Sequence, residues 1–136
     1  MQVPASFLAI DHLHVPVRDR MAATSWYEQA LGLRIVPELA HGAQAPNGPL
    51  TPAEPKGVLH IALFERPAGD RLCAVALRVE GGASGAWRQH LGGLLGRVPK
   101  VSDHGESVSR YFNDPDGHSF EITSFEPAAR AELAAG

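Results

Sequence analysis

Polar and apolar residues alternate between residues 8 and 17. Leu13, Val15 and Val17 share one parity, and His12, His14 and Pro16 the other. A period of two predicts a strand with one buried face. Asp19 then stands where a helix N-cap belongs, and Ala23, Trp26, Tyr27, Ala30 and Leu31 recur at helical spacing. Gly32 stops that helix, and 33–39 predicts a second strand. Residues 40–57 are rich in Pro and Gly and predict a loop in which a short strand has eroded. A strand over 58–65 and a turn over 66–70 complete the first pattern.

The second half repeats it. Residues 72–79 predict a strand, 83–95 a helix weakened by glycines, and 98–102 and 107–113 two strands joined by a polar turn. Asn-Asp-Pro-Asp-Gly at 113–117 is a turn, leading into a strand over 118–125, with Phe120, Ile122 and Phe125 as its buried residues. The alanine-rich segment after Pro127 predicts a short terminal helix.

The two patterns are in register at an offset of 61 or 62 residues. Trp26 falls on Trp87, Leu33 on Leu94, "VPE" (36–38) on "VPK" (98–100), and Phe64-Glu65 on Phe125-Glu126. Four matches in order argue that one strand–helix–strands unit was duplicated. Two copies are too few for a solenoid, so they predict one domain over 1–136, with modules at about 8–66 and 71–126 and a tail at 127–136. Trp26 and Trp87 are expected in the helix cores.

Parity sorts the strand side chains. Leu13, Val15, Val17, Leu59, Ile61, Leu63, Cys73, Val75, Leu77, Val79, Phe120 and Ile122 form an apolar set that should meet the helices. His12, His14, His60, Ala62, Phe64, Ala74, Ala76, Arg78, Ser119, Glu121 and Thr123 form the opposite, mixed set. Glu121 therefore does not interrupt a core. In the repeat alignment Glu121 matches His60, and His12 matches Ala74. Three of four related positions thus carry metal-ligand side chains: two imidazoles and one carboxylate, a set that leaves coordination sites open.

Composition narrows the classes. At 136 residues, 44% apolar and 20% charged, the chain can build one ordinary globular core. A net charge of -3 with no basic run predicts no nucleic-acid partner. No apolar run is long enough to span a bilayer, which predicts no membrane partner. The start of the chain lacks the basic flank of a secretory signal, and a single cysteine, Cys73, forms no intrachain disulfide. Together these predict the cytoplasm.

"HLHVPVRD" followed by "WYEQALGL", together with "YFNDPDGHSFEI" and the internal repeat, resembles the vicinal oxygen chelate superfamily. That superfamily includes glyoxalase I, extradiol dioxygenases, fosfomycin-resistance proteins, methylmalonyl-CoA epimerase and metal-free bleomycin-binding proteins. The resemblance spans about residues 8–126. It implies an α+β fold of paired βαβββ modules forming a curved mixed sheet around a cleft, often assembled from two chains. It implies a metal-ligand role for His12 and Glu121. The start of the second module usually carries a histidine, and Ala74 stands there instead. His60, at a fourth position used by some members, completes a rearranged His12/His60/Glu121 site. Tyr111 and Arg130 fall near places where the fosfomycin enzymes bind a phosphonate.

Two functions follow from the resemblance. One is a divalent-metal enzyme (Zn, Ni, Mn or Fe), a lyase, isomerase or dioxygenase acting on a small oxygen-rich substrate, with Glu121 as ligand or proton shuttle. The other is a metal-free small-molecule or drug binder of the bleomycin-resistance kind, in which Glu121 anchors a ligand or acts as a general base. His14, Phe64, Arg78 and Tyr111 are the expected substrate contacts in the cleft. Ala74 favours the binder; His12, His60 and Glu121 together favour the enzyme. A homodimer is expected in either case.

Overall fold

The computed structural model describes residues 4, 6, 7, 9–67 and 74–135. Cys73, expected on the apolar face, lies outside the described residues. The chain divides into two compact units, Met1–Asp70 and Arg71–Gly136.

In the first unit, β1 (Leu13–Val17) leads into α1 (Arg20–Leu31). The Met21 and Ala22 N–H groups donate to Asp19 Oδ1 at 2.9 and 3.1 Å, the expected N-cap. Gly32 closes α1 in the left-handed region (φ 72°) and donates its N–H to Glu28 O. The next strand, β2, is only Arg34–Ile35. The expected strand over 33–39 stops early because Pro37 has no N–H for a ladder and instead opens a 3-10 helical segment, Pro37–Gln44. The eroded strand exists as β3 (Pro52–Ala53), antiparallel to β2. β4 (Ile61–Glu65) runs parallel to β1, with Leu13 opposite Ile61. Single bridges, Leu50 to Leu63 and Ala53 to His60, join the β3 segment to β4. The neighbours therefore run β1-β4-β3-β2.

The core of this unit holds Val15, Val17, Tyr27, Ala30, Leu33, Ile61 and Leu63, all essentially without solvent exposure. Tyr27 is the helix's fully buried aromatic. Trp26 is only half-buried and meets the Tyr27 ring edge-on at 5.1 Å. Adjacent helix positions differ by about 100°, so only one of the two can point straight at the sheet.

The second unit repeats the connectivity with fuller strands. β5 (Val75–Arg78) leads through a 3-10 turn, Gly81–Ala83, into α2 (Ser84–Leu95). β6 (Lys100–Asp103), β7 (Val108–Asn113), β8 (Ser119–Ser124) and α3 (Pro127–Ala135) follow. The sheet order is β5-β8-β7-β6, with β5 and β8 parallel and the rest antiparallel. Asp114 Oδ1 accepts the N–H groups of Asp116 and His118 at 3.0 and 2.8 Å, and Gly117 sits at φ 89°. That is the turn expected from the sequence, with its aspartate buried.

Phe112 and Phe120 stack at 5.7 Å in this core, where Leu91 and Ile122 are also buried. Two expectations change. Phe125 lies beyond the end of β8 and is 50% exposed, so it is not a core residue. Val75, Leu77 and Val79 alternate as expected but are only half-buried, because β5 is an edge of the described sheet. The chain is thus α+β, with two βαβββ units.

The ladders also revise the repeat. Leu13 faces Ile61 in the first unit, whereas Val75 faces Phe120 and Ala76 faces Glu121 in the second. If His12 matches Ala74, the register counterpart of Glu121 is Ala62, not His60. The slip is two residues, which keeps every side chain on its expected face.

Candidate functional site

In the first unit, alternation on β1 and β4 puts His12, His14, His60 and Phe64 on the face away from Val15 and Ile61. His12 lies just ahead of β1. Its Nδ1 is 2.8 Å from Asp11 Oδ2, and its Nε2 is 3.0 Å from His14 Nε2. The two imidazoles stack at 4.9 Å, and His14 packs on the Phe64 ring at 4.6 Å. His60 is half-buried, and its carbonyl accepts the Leu13 N–H at 3.1 Å. The hydrogen bond to His12 holds the Asp11 carboxyl below its ordinary value, with weaker help from the charges of His12 and His60. In the neutral ring, a proton on Nδ1 facing Asp11 would leave Nε2 as the lone-pair nitrogen. Asp11 was not anticipated from sequence; its place directly before a strand-leading histidine was the available signal.

In the second unit, Glu121 stands between Ala76 on β5 and Tyr111 on β7, its directly paired neighbours. It is half-buried. Ser109 Oγ lies 3.3 Å from Glu121 Oε1 and 2.9 Å from Thr123 Oγ1. One hydroxyl proton cannot serve both, so when Ser109 donates to Glu121 it accepts from Thr123. Tyr111 OH lies 2.8 Å from His104 Nε2 on the β6–β7 turn. The small Ala76 leaves room beside the carboxylate, and a line of hydroxyls flanks its other side. Ser109 was legible by parity with Tyr111 but was not singled out.

Other sequence candidates have different partners. The Arg78 guanidinium lies over the Phe125 ring at 4.5 Å. Arg130 forms a two-point pair with Asp103, at 2.8 and 3.2 Å, and also donates to the Gly105 carbonyl. The Gly105 N–H first, and Arg130 second, hold the Asp103 carboxyl below its ordinary value. Arg110 was missed altogether. It is buried on the core side of β7, between Val108 and Phe112, where alternation calls for an apolar residue, and its Nε is 3.4 Å from Ser84 Oγ. Burial, then the nearby Arg88, lowers its guanidinium from the ordinary value, while Glu132 opposes them.

Within either unit, among the described residues, no three His, Cys, Asp or Glu side chains gather around one point. Each unit nevertheless offers donors of a kind that binds divalent ions. The first unit offers imidazoles, one of them oriented by a carboxylate as metal-bound histidines usually are, and the second offers an anionic oxygen.

Two βαβββ units, one with imidazoles on its polar sheet face and one with a carboxylate, are the arrangement of the glyoxalase-like fold class. A family model, the Glyoxalase/Bleomycin resistance protein/Dioxygenase superfamily, matches residues 9–122, and the chain belongs to that superfamily. None of the curated proteins matches the chain. Solved structures share its fold at low identity. A glyoxylase/bleomycin resistance protein/dioxygenase domain from Frankia sp. EAN1pec has a TM-score of 0.71 and 17% identity, covering 90% of this chain and 95% of that one. A glyoxalase/dioxygenase from Nostoc punctiforme has 0.69 and 18%, covering 93% and 97%. A mutant of FosX, a fosfomycin resistance protein from Listeria monocytogenes solved with Mn(II) and dihydroxypropylphosphonic acid, has 0.69 and 16%, covering 93% and 99%.

Proposed function

We propose that the protein is a divalent-metal-dependent enzyme of the lyase, isomerase or dioxygenase kind, acting on a small oxygen-rich substrate. His12, His60 and Glu121 are its metal ligands. The observation that carries this reading is the Asp11–His12 hydrogen bond, which fixes the ring and presents Nε2 as a ligand nitrogen. Mn(II) in the FosX relative supports a divalent ion in this fold. When bound, the ion acts as a Lewis acid toward adjacent substrate oxygens. Glu121 accepts or returns a proton, and Ser109 holds its Oε1 in place. His14 and Phe64 wall the first-unit face, and Tyr111 offers a hydroxyl on the face of Glu121. We further place the protein in the cytoplasm as a homodimer.

Fosfomycin chemistry is a weaker choice within this class. Asp103 and Gly105 already occupy two nitrogens of Arg130, the side chain a phosphonate would need.

One observation favours a metal-free small-molecule binder instead. His12 Nε2 faces His14 Nε2 at 3.0 Å, so a ligand role for His12 requires this contact to open. Elemental analysis of untagged protein purified without chelators separates the two. About one equivalent of transition metal per chain is expected, with most of it lost from His60→Ala and from Glu121→Ala. Protein without stoichiometric metal would leave the binder as the standing function.

A further inference from the structure

A groove of about 320 Å³ opens in the second unit between the β6–β7 turn and α3, lined by Glu106, Val108, Phe125, Glu126, Pro127 and Arg130 among others. It is large enough for a small organic molecule. Its floor is formed by the ends of β7 and β8, where Val108 pairs with Ser124. Val108 and Ser124 have the parity opposite to Glu121, so the groove and the Glu121 carboxylate lie on opposite faces of this sheet.

The groove's charge selects its occupant. Arg130 is its cation, and Asp103, with the Gly105 carbonyl, already engages its Nε and Nη2 and pairs its charge. Glu106 and Glu126 are exposed, and among the described residues neither forms an ion pair. Counting Arg78, whose guanidinium lies over the Phe125 ring, two cations meet the three carboxylates of Asp103, Glu106 and Glu126, so the groove is anionic on balance. Its apolar surface comes from Val108, Pro127, Ala131 and the half-exposed Phe125. The Phe125 ring already carries one cation, the Arg78 guanidinium, as the electron-rich face of an aromatic ring does.

We propose that this groove is a second ligand site that takes a small organic cation, an apolar or aromatic body bearing an ammonium group. The body lies against Phe125, Val108 and Pro127, and the ammonium sits between Glu106 and Glu126. An anion would meet an Arg130 whose charge is already paired with Asp103, and would have to pass two carboxylates.

The test is amide NMR of the full chain titrated with phenethylammonium, and separately with phenylpropionate, its anionic counterpart of similar shape. Phenethylammonium should shift the amides of Val108, Phe125 and Ala131 saturably, and phenylpropionate should not. The double variant Glu106→Gln/Glu126→Gln should weaken phenethylammonium binding by roughly threefold or more, the range of exposed ion pairs. Glu121→Gln should leave it unchanged, which keeps this result separate from the proposed metal site. Equal or stronger binding of phenylpropionate, loss of binding in Glu121→Gln, or no saturable shift at the groove would each overturn the proposal.

Discussion

Asp11 and His12 illustrate how one side chain sets the chemistry of another. A carboxylate on Nδ1 selects the tautomer and raises the ligand strength of Nε2. If His12 holds a metal, Asp11→Asn should cut metal affinity by about 10- to 100-fold, the usual loss for such a supporting partner. A competition titration against a chromogenic chelator measures this, and undiminished affinity would remove Asp11 from the site. The pairing of His12, His14 and Phe64 on one face was readable because strand alternation is rigid. Arg110 was not readable, since its position demanded an apolar side chain. Its burial becomes intelligible only when Ser84, brought near by the fold, supplies a partner.

Elements are held by a few close contacts that make sharp predictions. Asp19 caps α1 with two hydrogen bonds, so Asp19→Ala should cost about 1 kcal/mol in denaturant unfolding. Gly81 abuts α3. A Cβ there would lie 2.9 Å from the Cβ atoms of Ala128 and Glu126, both carried by the chain entering and forming that helix. Gly81→Ala should therefore cost about 1–3 kcal/mol, the range for overpacking, and loosen α3 first. Hydrogen exchange that rises across α3 before α2 would show this; uniform loss of protection would not. The β6–β7 turn adds a pH dependence. Asp103 titrates below its ordinary value in the folded chain, so its contribution is present above the ordinary carboxylate range and is lost as pH falls through the lowered value. Arg130→Gln should flatten that acid limb of the stability curve. The existence of most strands and helices was legible from periodicity, but their ends were not. β2 stops before Pro37 and β8 before Phe125, because ladder hydrogen bonds, not side-chain pattern, decide where a strand ends.

At the scale of the whole molecule, duplication fixes which faces carry chemistry. The halves share strand order and parity, which sequence spacing alone could reveal. The two-residue difference in register between the parallel pairs was hidden, because an even slip leaves the pattern of faces unchanged. Self-association is the remaining property at this scale. The segment before β1 exposes Phe7 at 97% and Ile10 at 79%, and the first unit also exposes Val58 at 79%. Large apolar side chains left in water at this level gain most by being covered, and interfaces are where such coverage is found. We therefore expect light scattering after size-exclusion chromatography to report two copies of the 14.5 kDa chain at micromolar concentration. The double substitution Phe7→Ser/Ile10→Ser should shift the population toward monomer with little loss of folded stability, since neither side chain is in a core. A wild-type chain that elutes only as monomer would end the dimer expectation while leaving both βαβββ units as described.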